Sequence, residues 1–376
     1  MTDLNRHIAL YLPSLRGGGA ERVMVNLANG FAKRGITTDL VVASAVGPYL
    51  DLVLSTVNIV DLKCSRVLTS LPALARYLRK RQPNAMIATM GHANVVAILA
   101  RMLSGTRSKI QLAVREANTV GISAREAPTL KGRIMPVALR FLYPLADVIV
   151  ANSKGSAKDL SSQTGIPEER IAVIGNPVDI AQIRELSKAS PPILLPKISS
   201  GQSIVSVGRL TPQKDFETLL CAFSLVLEVR PDVSLLILGE GELRQKLEGL
   251  AVELGIRDKL IMPGFVSNPY AVMKQADLFV LSSRWEGLPN TLLEALALGL
   301  PVVATDCPSG PAEILSNGKY GKLVPVGDSK ALAKAILHML DTPINRDLLE
   351  SRAKKFSIDK IVDEFLDLFF LEKTHG

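Results

Sequence analysis

The sequence predicts an α/β protein made of two doubly wound, Rossmann-like domains. Three observations lead there. Short apolar runs alternate with amphipathic helical stretches, the alternation occurs twice, and a Pro-, Ser- and Lys-rich interval at 187–202 separates the two rounds. In the first round the strand-like runs are 8–13, 38–44, 84–90, 109–114, 147–153 and 170–176. They are interleaved with helical patterns near 20–34, 70–81, 93–104, 127–145 and 153–163. The second round places strands at 203–210, 233–241, 259–265, 276–283 and 300–306, with helices near 215–229, 242–254, 269–275, 290–298 and 328–341. Runs that are apolar throughout, each followed by a helix, are the mark of parallel strands covered on both faces.

At 376 residues and 40.5 kDa, the chain suits two domains of moderate size. The expected division is 1–185 and 186–356, followed by a final helical segment over 357–376. Apolar positions Ile358, Ile361, Val362, Phe365, Leu366, Phe369 and Phe370 give that segment one face to bury. In open parallel sheets ligands bind beyond the carboxyl ends of the strands, so two such domains facing each other would create a cleft in which the chemistry should lie.

Composition excludes several classes. Cys64, Cys221 and Cys307 lie far apart in apolar surroundings, with no spacing of a zinc site or disulfide framework. The amino-terminal segment lacks the features of a secretion signal, and no apolar run reaches the ~18–20 residues needed to cross a bilayer. The expectation is a cytoplasmic enzyme, peripheral on the inner face of the plasma membrane if it meets a membrane at all. Charge is unevenly divided: residues 1–190 carry 24 Lys+Arg against 13 Asp+Glu, and residues 191–376 carry 20 against 23. Within 63–140 there are 14 basic and 2 acidic residues, including Arg76, Arg79, Lys80 and Arg81, and then Arg125, Lys131, Arg133 and Arg140 among apolar neighbours. Such a region suits an anionic membrane or a phosphate-bearing acceptor, or is simply a solvated basic surface. Nucleic acid is not expected: only 5% of residues are aromatic and no binding motif for it is present.

The segment RWEGLPNTLLEALALGLPVVATD sets Glu286 and Glu294 eight positions apart around the start of an apolar helix. Pro289 suits the first helical position, which leaves Glu286 in the loop and Glu294 about one turn in. A carboxylate turned into that apolar helix's core would cost several kcal/mol unless paired, so Glu294 should face water or a polar ligand. The alternative is a surface pair on an amphipathic helix. Gly17, Gly18 and Gly19 follow the first strand and precede a helix, an arrangement that brings backbone and a helix N-terminus to an anion or is merely a tight turn. The pattern is neither G-x-G-x-x-G nor a P-loop. Arg209 and Lys214, in SVGRLTPQKD, stand at a strand end where an Arg fork and a Lys point charge can clamp a diphosphate or remain two surface cations. His92 is the one histidine at the carboxyl end of a predicted core strand, and a lone histidine is also a common structural residue. Gly239, Gly264 and Phe265 follow strands of the second round and could be ordinary turns. No D-x-D loop or His/Asp cluster implies a metal, and no cofactor is expected.

These residues resemble the E-x7-E signature of the retaining GT-B glycosyltransferases, specifically glycosyltransferase family 4. EGLPNTLLEALALGLPVVATDCPSGPAEIL follows that family's pattern for some thirty residues, and GGGAERV and GR-x4-K occur in the family's order across the chain. The resemblance implies a GT-B architecture with an N-terminal acceptor domain, a C-terminal donor domain and a last helix that crosses back to the first. It implies a nucleotide diphosphate sugar as donor, most naturally a UDP-sugar, and a saccharide acceptor that is lipid-diphosphate-linked. Arg209 and Lys214 would stabilise the leaving nucleoside diphosphate, with the glycine loop near it. Glu286 with the backbone of Gly287 and Leu288 would hold the transferred sugar, Glu294 the ribose, the Gly264–Phe265 segment the base, and His92 the sugar near its reacting carbon. Arg115, Glu116 and Asn118, in REANT, would face the acceptor. Two other readings stay open at this point: a sugar-nucleotide epimerase of the same fold and a non-catalytic nucleotide-sugar-binding protein.

Overall fold

The computed structural model describes residues 6–126, 130–190, 201–342 and 345–370. They form two compact units, one running through Pro177 and resuming at Ser357, the other spanning Val178–Phe356.

The first unit contains a sheet of seven strands: β1 (His7–Leu12), β2 (Thr37–Val42), β3 (Asn58–Asp61), β4 (Ala85–Thr89), β5 (Gln111–Glu116), β6 (Val148–Ala151) and β7 (Ile171–Val173). All pairings are parallel, in the order β3-β2-β1-β4-β5-β6-β7, with Leu10 in register beside Leu40 and Ile87. This is the doubly wound order, with its reversal between β1 and β4. Ile8 through Leu12 are fully buried, as expected of a central strand covered on both faces. Strand β3 was absent from the sequence expectation because NIVD is short, polar at both ends and mostly exposed at the sheet edge.

Helices α1 (Gly19–Lys33), α2 (Leu71–Arg81), α3 (Gly91–Ser104), α4 (Val120–Arg125), α5 (Leu130–Arg133), α6 (Met135–Leu142) and α7 (Lys154–Thr164) cover the sheet. The single helix expected over 127–145 is instead α5 and α6, closed by a 3-10 turn at Tyr143–Leu145; residues 127–129 lie outside the described residues. Pro136 and Pro144 explain the breaks, since each ring removes an amide donor and is tolerated only in a first turn.

The second unit repeats the plan with β8 (Ser203–Val207), β9 (Ser234–Leu238), β10 (Leu260–Gly264), β11 (Leu278–Leu281), β12 (Val302–Thr305) and β13 (Lys322–Val324). These too are parallel, ordered β10-β9-β8-β11-β12-β13, with the reversal between β8 and β11. Its helices are α8 (Ile180–Ser187), α9 (Phe216–Val229), α10 (Arg244–Glu253), α11 (Pro269–Met273), α12 (Asn290–Ala297), α13 (Pro311–Ile314), α14 (Ser329–Asp341) and α15 (Arg346–Ala353). Helix α8 belongs here because Ile183 is buried in one core with Val272, Met273, Leu292 and Leu296. The division therefore falls at Pro177, eight residues before the position at 185 that composition suggested. Packing of α8 decides the boundary; the polar interval follows it, and 191–200 lie outside the described residues.

The last helix, α16 (Ile358–Phe370), returns to the first unit. Ile358, Ile361, Val362, Phe365 and Phe369 are buried in the core that holds Val23, Leu27 and Phe31 of α1. Gly30 permits the approach: a Cβ there would stand 2.5 Å from Ile358 Cγ2 and 2.6 Å from Val362 Cγ2. Arg34 closes the seam by donating to Asp363 at 2.6 Å. Residues 371–376 of the expected segment lie outside the described residues.

Candidate active site

In the second unit the site forms at the reversal of the sheet, from the loops after β8 and β11. Beyond Val207 the chain turns through Gly208 and Arg209 into a 3-10 turn at Pro212–Lys214, ending at Asp215 in the left-handed region, φ 46°. Lys214 Nζ donates to Glu286 Oε1 at 2.6 Å, and Ser283 Oγ donates to the same oxygen at 2.7 Å. Glu286 is 6% exposed, so both donors compensate a carboxylate largely removed from water.

Hydrogen bonds to backbone carbonyls hold the two loops together. Ser282 Oγ donates to the Lys214 carbonyl at 2.7 Å, Arg284 N to the Gln213 carbonyl at 2.8 Å, and Gln213 Nε2 to the Trp285 carbonyl at 3.0 Å. Arg284 Nε lies 3.1 Å from the Asp215 carboxylate, which is nearly fully buried. The Lys214 stem lies over Gly208, where an added Cβ would meet Cε, Cδ and Cγ at 3.2 to 3.3 Å. Lys214 and Glu286 are thereby held by their own loops, the rigidity a site needs to meet charge that develops during a reaction. Arg209 is exposed, and its guanidinium makes no hydrogen bond or ion pair among the described residues.

Gly287 and Leu288 are buried beside Glu286. Ser309 Oγ donates to the Gly287 carbonyl at 2.8 Å, and Thr305 Oγ1 donates to the Ser283 carbonyl at 2.5 Å. Gly310, with φ 93°, sits so close that a Cβ would reach Pro289 Cδ at 2.7 Å and the Gly287 carbonyl oxygen at 2.8 Å. Pro289 caps α12 from the N-cap position rather than occupying its first turn, and Asn290 starts the helix. Glu294 lies about one turn in, partly exposed, and accepts from Tyr270 Oη at 3.0 Å.

Gly239 is required by close approach: its Cβ would fall 1.9 Å from the Gly208 carbonyl oxygen, so the ends of β8 and β9 touch backbone to backbone. Gly239 N also donates to the Gly264 carbonyl at 2.9 Å, bringing the third loop alongside. Phe265 follows with its ring 65% exposed. Thus Lys214, Glu286, Gly287 and Leu288 form one cluster, and Gly239 and Gly264 form the adjoining loop wall.

Sequence reasoning did not single out Gln213, Asp215, Ser282, Ser283, Arg284, Thr305, Ser309 or Gly310. The readable signal was the serine pair Ser282–Ser283 with Arg284 directly after the apolar run of β11, polar residues placed where a core strand ends.

In the first unit, Gly17 has φ 106° and Gly18 is the N-cap of α1. The loop is braced by Tyr49, whose hydroxyl donates to the Gly17 carbonyl at 3.2 Å and whose ring carries the Arg22 guanidinium at 4.5 Å. Gly19 opens the helix. The Glu21 carboxylate lies over Gly18, 2.2 Å from where a Cβ would be, so the first turn already holds an anionic group.

His92 follows the end of β4 in the first turn of α3. The residue before that turn, Met90, holds φ 74° and ψ 126°, a conformation costly for a side-chain-bearing residue. His92 is open to solvent at its edge, while desolvation by the surrounding protein lowers its pKa from the usual 6.5. Arg115 and Glu116 are not presented to solvent: Arg115 is 0% exposed and Glu116 6%. Arg115 donates to Asn176 Oδ1, and Glu116 accepts from the Tyr143 hydroxyl and, at 3.3 Å, from Asn94 Nδ2. Burial raises the Glu116 pKa to about 7 against these hydrogen bonds. They form a buried polar cluster beneath the His92 turn, where a Cβ on Gly91 would lie 3.5 Å from Glu116 Oε1. Asn118 is partly exposed, and its Oδ1 accepts from Thr119 N at 3.0 Å.

Among the described residues no helix is long and apolar enough to cross a membrane, and no group of three His, Cys, Asp or Glu side chains is placed to hold a metal ion.

The second unit matches the family model described as "Glycosyl transferases group 1" over residues 196–356, and the first matches "Glycosyltransferase Family 4" over 17–182. An uncharacterized glycosyltransferase of Methanocaldococcus jannaschii is 30% identical over 330 residues, covering 78% of this chain and 80% of the relative. The N-acetylgalactosamine-N,N'-diacetylbacillosaminyl-diphospho-undecaprenol 4-alpha-N-acetylgalactosaminyltransferase of Campylobacter jejuni is 29% identical over 358 residues, 92% of this chain and 93% of that one. Among solved structures, Anabaena HepE in complex with UDP-glucose superposes with a TM-score of 0.78 at 19% identity, over 96% of this chain and 99% of that one.

Proposed function

We propose that this chain, which belongs to the family 4 glycosyltransferases of GT-B fold, moves a hexose or N-acetylhexosamine from a UDP-sugar to a lipid-diphosphate-linked saccharide with retention of configuration. The observation that carries the reading is the Lys214–Glu286 contact at the reversal of the second sheet, beside exposed Arg209. A doubly wound sheet takes its ligand at that place, and a diphosphate needs cations held there.

In the reaction the bond from the sugar's anomeric carbon to the diphosphate oxygen breaks, and a bond from that carbon to the acceptor hydroxyl oxygen forms on the same face. The acceptor's proton passes to the leaving diphosphate. Arg209 and Lys214 neutralise the charge that gathers on that diphosphate, so the step asks for no metal. Glu286 serves as an acceptor for hydroxyls of the sugar rather than as a nucleophile, because Lys214 and Ser283 already hold one of its oxygens. Glu294 is assigned to the ribose, Gly264 and Phe265 to the base, and His92 to the transferred sugar. Support for UDP comes from the HepE complex, and support for a lipid-linked acceptor from the name of the Campylobacter relative. The basic first unit suits such an acceptor on the inner face of a membrane, and relatives named for lipopolysaccharide core and colanic acid biosynthesis favour a role in surface polysaccharide assembly.

A panel of UDP-, GDP- and ADP-sugars offered with undecaprenyl-diphosphate saccharides tests this, with the anomeric linkage of the product read by NMR. An α-linked product from a UDP-α-sugar is expected. An inverted product, or conversion of the donor in the absence of any acceptor, would replace the reading with another.

A further inference from the structure

The His92 imidazole makes no hydrogen bond or ion pair among the described residues, so its direction is set by the turn that carries it. That turn is strained. Met90 holds φ 74° and ψ 126°, and its carbonyl accepts from Ala93 N at 2.8 Å and from Asn94 N at 2.9 Å. A side-chain-bearing residue stays in such a conformation only where its neighbours over-determine it.

Here the neighbours are three buried polar side chains. Thr89 and Arg115 are in register, which brings the turn after β4 beside the end of β5. Asn94, fully buried in the first turn of α3, donates from Nδ2 to the Arg115 carbonyl at 3.0 Å, to Tyr143 Oη at 2.8 Å and to Glu116 Oε1 at 3.3 Å. Tyr143, also fully buried in the 3-10 turn that closes α6, donates its hydroxyl proton to the same Glu116 oxygen. That oxygen lies 3.5 Å from where a Gly91 Cβ would be, against the residue that precedes His92. Packing alone does not call for this unit, since apolar groups of the same shape would fill the space at little or no cost. Its place is at the carboxyl end of a doubly wound sheet, where such folds take their ligands.

We propose that Asn94, Glu116 and Tyr143 are positioning residues for His92, clamping the Met90 turn to the end of β5 and to the turn after α6. Each is buried, so each acts through the histidine rather than on a ligand. The inference rests on the assignment of His92 to the transferred sugar made above, and adds what holds the imidazole there. Glu116 contributes an accepting oxygen rather than a charge offered to substrate, so glutamine can replace it and alanine cannot.

Kinetics of the full chain with a UDP-sugar and an undecaprenyl-diphosphate saccharide test this through a double-mutant cycle. Tyr143→Phe keeps the ring and removes one donor; it should lower kcat about tenfold and leave KM for both substrates within about twofold. In a His92→Ala background the same change should cost nothing further, because its effect passes through the imidazole. Glu116→Ala should lower kcat about a hundredfold, and Glu116→Gln should recover most of that loss. In hydrogen exchange followed by NMR, Tyr143→Phe should speed the Ala93 and Asn94 amides about tenfold and leave the Ile98 amide of the same helix unmoved. Additive losses in the cycle, or exchange that speeds equally throughout α3, overturn the proposal and leave the transferase reading intact. Wild-type kcat in His92→Ala overturns the assignment of His92 and this inference with it, and absence of transfer by the wild type overturns both together with the reading they share. Should Glu116→Ala fail to fold, the cycle with Tyr143→Phe decides.

Discussion

Lys214 and Glu286 are 72 residues apart in the chain and 2.6 Å apart in the fold, joined because the ends of β8 and β11 lie side by side where the sheet reverses. Their side chains are 16% and 8% exposed, so the pair is neither a surface ion pair of little consequence nor a fully dry one. With Ser283 as a second donor, the carboxylate has a fixed partner set before any substrate arrives.

Lys214→Ala leaves the Glu286 carboxylate with Ser283 alone and, on the proposed reaction, takes one cation from the leaving diphosphate. Turnover is expected to fall by roughly 10²–10³, and stability in urea by about 3–5 kcal/mol, because a buried charge loses its partner. The double variant Lys214→Ala with Glu286→Gln should regain most of that stability but none of the activity. Wild-type turnover by Lys214→Ala with the true donor and acceptor would remove Lys214 from the mechanism.

Gly239→Ala tests the backbone contact that places the Arg209–Lys214 loop. A methyl group 1.9 Å from the Gly208 carbonyl oxygen must push apart the ends of β8 and β9, at φ 153° where side chains are disfavoured. The expected loss is on the order of 2–3 kcal/mol by thermal melting, with weaker donor binding by calorimetry. An unchanged melting temperature would mean that these loops yield at little cost.

Phe365→Ala probes the return of α16. Phe365 is fully buried in the core shared with α1, and its removal should cost about 3–5 kcal/mol. Gly30→Val, which drives a branched side chain into Ile358 and Val362, should destabilise the same seam. If differential scanning calorimetry shows the transition of the first unit unmoved in both, α16 is not part of its core.

Glu116 gives the first unit a pH signature. Its pKa is raised by burial from 4.5 to about 7, so the native state holds a proton that the unfolded chain releases at lower pH. The stabilisation is complete below the unfolded value and declines as pH rises from about 4.5 to about 7, in total by roughly 3 kcal/mol. Glu116→Gln should flatten that part of the stability profile measured by urea denaturation, and an unchanged slope would place the titration elsewhere.

Cys307 provides a chemical readout of the site. Burial, with the Glu286 charge nearby, pushes its thiol pKa up to about 12. Iodoacetamide at pH 8 should therefore spare Cys307 in the folded protein and modify it on unfolding, as followed by mass spectrometry of the peptide. Rapid labelling of native Cys307 would show the loop after β12 to be open.

The sequence by itself determined the two parallel sheets, because central strands such as IALYL and SLLIL are apolar throughout and only a sheet covered on both faces can use them. It also pointed to the strand ends as loop positions, since Arg209, Lys214, Glu286 and the glycines interrupt apolar runs where a loop must begin. Edge strands β3 and β13 and helix α4 were not legible, because three to six residues carry too little periodicity. Tertiary structure alone decided that α8 belongs to the second unit and that Arg115 and Glu116 turn inward to Asn176, Tyr143 and Asn94. It also decided that Lys214 meets Glu286. Each of these depends on partners far away in sequence: a charged residue reads the same in a row of letters whether it faces water or finds, across a sheet, the donor or acceptor that lets it be buried.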